Sequence, residues 1–115
     1  MERQVLSGGF STGIVRDGSA TRPIDQRDQF TLRDNTVTTF VSWLAVEAFK
    51  GTAALRLYDL DNTLRAESPP SKVTLRKGDL KMMTWDLPRP APGMYRVDIL
   101  LGTAIAWRGH FQVVE

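Results

Sequence analysis

No window of this sequence keeps a 3.6-residue apolar period for three turns. Short apolar, β-branched runs are punctuated instead by Gly, Pro, Asp and Asn. Apolar residues at every second position mark strands that bury one face, so the chain is predicted to be all-β. The alternation is cleanest near the C-terminus. Between positions 95 and 101 the odd residues Tyr95, Val97, Ile99 and Leu101 are apolar, and Arg96 and Asp98 between them are charged. In the next run Ile105, Trp107, Phe111 and Val113 are odd and apolar, with Arg108, His110 and Gln112 interleaved.

A hairpin keeps both inward sets on one face only if its loop has an odd length, which predicts the three-residue loop Gly102-Thr103-Ala104. The register then pairs Leu101 with Ile105, Ile99 with Trp107, Val97 with Gly109 and Tyr95 with Phe111 on the buried face. On the open face it pairs Asp98 with Arg108 and Arg96 with His110, and the first of these sets opposite charges against each other.

Upstream, residues 53–60 read as a strand with Leu55 and Leu57 on one face and Arg56 and Tyr58 on the other, turning at Asp61-Asn62 into Thr63-Leu64-Arg65. Val73 and Leu75 precede a Lys77-Gly78-Asp79 turn and a strand over 80–87. Pro88, Pro90 and Pro92 cannot donate to a sheet ladder, so they form an extended crossing between sheets. Residues 40–49 contain good helix formers, but Val41, Trp43 and Val46 favour a strand. Both faces of that strand are apolar, which leaves Phe40, Leu44 and Val46 to be covered by the N-terminal segment or by a second copy in a homodimer. Residues 5–15, with Gly8, Gly9 and Gly13, suit a bent or bulged edge strand, and the polar stretch 18–28 with Pro23 is predicted to be a long loop.

At 115 residues the chain has room for one sandwich domain: a core over 29–115 and an irregular or edge-strand segment over 1–28. Its 15 Lys and Arg against 13 Asp and Glu are not gathered on one run, so nucleic acid is not an expected partner. The absence of cysteine excludes disulfides, thiolate metal sites and a cysteine nucleophile. No apolar run approaches the ~20 residues of a membrane-spanning helix, and the start Met1-Glu2-Arg3-Gln4 lacks the apolar stretch of a secretory signal, which inclines the reading to the cytoplasm.

The stretch Phe30-Thr31-Leu32 through Val37 and Val41, the run Pro92-Gly93-Met94-Tyr95-Arg96-Val97-Asp98-Ile99 and the ending Phe111-Gln112-Val113 resemble the generic immunoglobulin-like modules of bacteria, many of them domains of unknown function. The resemblance implies an immunoglobulin- or fibronectin-III-like Greek-key β-sandwich of about seven to eight strands. It also puts Tyr95 at the place of a tyrosine corner, with its hydroxyl reaching a backbone group upstream. It carries no catalytic residues.

Other chemistry fails on particular residues. Gly8-Gly9-Phe10-Ser11-Thr12-Gly13 has the spacing of a phosphate loop, but Ile14-Val15 stands where Lys and Ser or Thr are needed. Asp59-Leu60-Asp61-Asn62 lacks the turn glycine of a calcium loop, and Pro70 falls where the bidentate Glu belongs. His110 is the sole histidine, so a His-based metal cluster is excluded; Asp98 could orient it, but no serine shares the hairpin. Trp43, Trp85 and Trp107 each lie within an apolar alternation, which suits a core better than a sugar platform. No catalytic, cofactor or metal site is therefore expected. The sequence points to a non-enzymatic module that binds a protein partner or itself, with an accessory carbohydrate-binding domain as the alternative and a small enzyme as a distant third. If residues 53–60 neighbour the C-terminal hairpin, then Arg56, Tyr58, Arg96, Asp98, Arg108 and His110 share one face, the candidate contact surface.

Overall fold

A computed structural model describes residues 3–17 and 20–115. Along the chain it runs β1 (Arg3–Ser11), β2 (Gly13–Asp17), β3 (Ala20–Ile24), β4 (Gln29–Thr31), β5 (Thr36–Ala45), β6 (Phe49–Asp59), β7 (Leu64–Glu67), β8 (Ser71–Leu75), β9 (Leu80–Pro88), β10 (Gly93–Leu101) and β11 (Ala104–Val114). Among the described residues no helix is long and apolar enough to cross a membrane. One sheet has the order β1-β5-β9; the second has the order β4-β11-β10-β6-β7, with β8 also on β6; β2 and β3 pair only with each other. The strand count exceeds the expected seven to eight chiefly because β2 and β3 form a separate two-stranded sheet; β6 is met by two short partners, β8 along Phe49–Ala53 and β7 along Arg56–Tyr58.

The two larger sheets face each other across one core. Val37, Val41, Trp43 and Ala45 of β5 meet Leu55, Leu57, Val97, Ile99, Phe111 and Val113 of the other sheet, with Phe10 and Phe30 among them. The inward residues are those that alternation assigns in β5, β6 and β10. β5 is also buried on its outer side, where Thr38 donates to Asp86 Oδ1 at 2.7 Å and Phe40 lies against Gly9, close enough that a Cβ there would stand 3.2 Å from the ring.

Tyr95 is buried and stacks on Phe111 with centroids 5.4 Å apart, and its hydroxyl donates to the Ala91 carbonyl at 2.6 Å. The proline-rich residues after β9 are thereby tied to the strand that follows, as a tyrosine corner requires. At the Lys77-Gly78-Asp79 turn Gly78 takes φ +90° and donates to the Ala45 carbonyl.

Two expectations are corrected. Residues 18–28 were predicted to be one long loop, but Ala20–Ile24 is β3, the return strand of a hairpin with β2; Pro23 is accommodated because that two-stranded sheet offers it an edge. The C-terminal hairpin keeps the predicted register from Tyr95–Phe111 to Ile99–Trp107, but then shifts to Leu100–Ile105 and Leu101–Ala104. A bulge at Ala106 absorbs one residue, so the turn is the two-residue Gly102-Thr103, opened by Gly102 at φ +62°. Ile105, expected inside, is consequently 52% exposed, while Leu100 is buried.

Candidate functional site

β6, β10 and β11 are adjacent in the six-stranded sheet, and their registers place the six candidate residues directly opposite one another. Arg56 faces Asp98, which faces Arg108; Tyr58 faces Arg96, which faces His110. These two rows of three cross the sheet side by side on the face away from the core.

The rows are tied together at Asp98. Its carboxylate accepts Nε of Arg108 at 2.7 Å and Nη2 at 3.0 Å, and Nε of Arg96 lies 3.4 Å from Oδ1. The Arg96 guanidinium sits over the Tyr58 ring, 4.3 Å from its centroid. Arg56 is turned toward β7, donating to Glu67 at 3.0 Å. The Arg108 hydrogen bond holds the Asp98 carboxyl below the usual carboxylate range, against the opposing effect of its burial.

Sequence reasoning assigned Asp98 to a solvated face, and the structure corrects this: the residue is 4% exposed. Parity sends its side chain away from the core, but two long arginine side chains flank and roof it. Among the described residues no hydrogen bond joins His110 to Asp98, so the orienting role considered for Asp98 has no partner here.

Two hollows among the described residues meet at His110. One, of about 320 Å³, is lined by Asp59, Leu60, Asn62, Met94, Tyr95, Arg96 and His110. Leu60 and Met94 are exposed apolar residues that sequence reasoning passed over, because each sits where a turn or crossing ends and alternation gives no information. Asp59, considered for a cation loop, spends its carboxylate locally: Oδ1 accepts the amides of Asp61 and Thr63, and Oδ2 accepts Nε of Arg65 at 2.7 Å. The larger groove, of about 620 Å³, runs between β1 and β11; Gly8, Gly9, Phe10, Trp107, Gly109 and His110 form its sides and Gln26, Arg27 and Asp28 its end. Of the three tryptophans, Trp43 is fully buried, and Trp85 and Trp107 are half-buried against the core.

Phe40, Leu44 and Val46 do not form the single face expected of them. Phe40 is 4% exposed, Leu44 is half-buried, and Val46 lies beyond the end of β5 in the bend before β6. The fully open apolar neighbour of Leu44 is Leu80, its partner on β9, at 67% exposure.

No protein-family profile matches the chain, and no curated protein sequence matches it. Solved structures do share its fold. The C-terminal domain of Wzt superposes with a TM-score of 0.67 at 10% identity, over 98% of this chain and 74% of that one. A β-glucosidase of Listeria innocua matches with a TM-score of 0.61 at 15% identity, over 99% of this chain but only 16% of the enzyme, so the likeness is to a small part of that protein. An immunoglobulin-like protein of Pseudomonas aeruginosa matches with a TM-score of 0.55 at 12% identity, over 99% of this chain and 98% of that one. At these identities the likeness is one of fold, and the fold of this chain is an immunoglobulin-like β-sandwich.

Proposed function

We propose that this domain is a non-catalytic binding module that docks a protein partner on the outer face of its six-stranded sheet. The observation that carries the reading is the buried Asp98 carboxylate holding Arg96 and Arg108 in place while Arg96 stacks on Tyr58. Arginine and tyrosine recur where partners bind, and side chains already fixed lose less entropy on contact. The same face suits a catalyst poorly, since His110 is exposed, among the described residues no carboxylate is hydrogen-bonded to it, and an open sheet face excludes water badly.

The test has to spare Asp98. Removing Arg96 and Arg108 together would leave a buried carboxylate unpaired and unfold the face for structural reasons alone. The paired substitution Arg56→Gln with Arg96→Gln keeps the bidentate Arg108 contact. It should leave the melting temperature within a few degrees while abolishing retention of the partner in a pull-down from the source organism's lysate. An unchanged set of retained proteins would overturn the reading.

A further inference from the structure

β11 is eleven residues long, whereas its neighbour on one side, β4, is three. β4 pairs with Gln112, Val113 and Val114 only, and among the described residues no strand pairs with that side of β11 from Ala104 to Phe111. The amide of Gln112 donates to the Asp28 carbonyl on the β4 side. Backbone groups of every second residue point the same way along a strand, so the N–H and C=O of His110 and Arg108 also face that open side. The chain's own backbone turns off before it reaches them: Asp25 takes φ +55°, and the Arg27 amide donates to Phe10 of β1 at 2.8 Å. Along that edge runs the 620 Å³ groove, one wall of which is the Trp107 indole packed close over Gly8 and Gly109.

We infer that this edge, from Trp107 to Phe111, takes up an extended peptide segment in which acidic and apolar residues alternate, adding it as a further strand of the six-stranded sheet. The inference rests on the binding-module reading and names its partner's chemistry. Successive side chains of an added strand point to opposite faces. On the outer face they would meet Arg108 and His110, both exposed, and cross-strand pairing there favours carboxylates. On the inner face they would meet Trp107 and Phe10, whose rings lie 5.6 Å apart on the groove wall. A second copy is a poorer occupant: a two-fold pairing of β11 with itself about Gly109 sets Arg108 against the partner's His110, which offers the guanidinium no carboxylate.

Random dodecapeptides displayed on phage, panned on the intact domain, test the inference, with the recovered peptides titrated into ¹⁵N-labelled protein. Expected are sequences with Asp or Glu at alternate positions, amide shifts and slowed exchange at Arg108 and His110, and a roughly ten-fold loss of affinity when the acids are replaced by Lys. His110→Pro removes the open-side amide together with the imidazole and should weaken binding by a similar factor or more; His110→Glu, which keeps the backbone donor, should weaken it through charge. Overturning results are an empty selection, basic or unpatterned peptides, shifts confined to other strands, or affinity unchanged in both His110 variants. Concentration-dependent dimerisation protecting the same amides would assign the edge to a second copy and overturn the acidic segment. Partner loss in the Arg56 and Arg96 variant, with no peptide at Arg108 and His110, would keep the module and reject the edge.

Discussion

Tyr95 holds the crossing from β9 to β10 with two separable interactions, the stack on Phe111 and the hydrogen bond to Ala91. Tyr95→Phe removes the second alone and should cost about 1 kcal/mol in urea unfolding. Tyr95→Ala also removes the ring and should cost roughly 3–5 kcal/mol; a loss below about 1 kcal/mol would mean that the ring is not a packing element. Its inward position was legible because parity and the neighbouring Pro-Gly fixed it. The burial of Asp98 was not, since parity names a face but not what folds over it. The Asp98 carboxyl is held below its ordinary value chiefly by Arg108. A carboxyl with a depressed folded pKa contributes stability that is complete above its unfolded value, near 3.9, and is lost as pH falls through the folded value. Asp98→Asn should therefore destabilise the domain at pH 7, by about 1–3 kcal/mol. The gap between variant and parent should narrow at and below about pH 4. A gap of equal size in urea titrations at pH 7 and pH 3 would show that the charge of Asp98 is not its source.

At the scale of elements, Trp107 closes the seam between β1 and β11. A Cβ on either Gly8 or Gly109 would collide with its indole, so both glycines are required by close approach and not by backbone conformation. Gly109→Ala should destabilise the domain by roughly 1–3 kcal/mol through overpacking. In a Trp107→Leu background the same substitution should cost distinctly less, and a double-mutant cycle reads the difference. Additive losses would place the strain elsewhere. Neither glycine's role was visible in the sequence, where the first read as part of a bent edge strand and the second as the residue opposite Val97 on the buried face of a hairpin. The bulge at Ala106 was hidden for a related reason. A period-two pattern on both sides of a turn fixes loop parity only when every residue is paired, and one unpaired residue makes an even turn and an odd turn equally compatible with Tyr95 facing Phe111.

For the whole molecule, the sequence revealed which residues face inward better than which strands neighbour which. Val97, Ile99, Leu55 and Leu57 carry their own face in their spacing, whereas the division into β1-β5-β9 and the larger sheet depends on pairings between residues far apart in the chain, such as Thr38 with Asp86. The β2–β3 hairpin escaped notice because its apolar residues Val15 and Ile24 are exposed, and Arg16, Arg22 and Pro23 give no alternation. Its pairing is confined to the hairpin itself, whereas β5 has a strand on each side and lies at the centre of the core. Opening the hairpin exposes little apolar surface, so it should open independently of the sandwich. Native-state hydrogen exchange should then show amides of β2 and β3 exchanging through an opening several kcal/mol below the global unfolding free energy and nearly independent of urea, with β5, β6 and β10 exchanging only through global unfolding. If the hairpin amides instead merged with those of β5 as urea is added from the lowest concentrations, the hairpin would be part of the single cooperative unit and not an appendage of it.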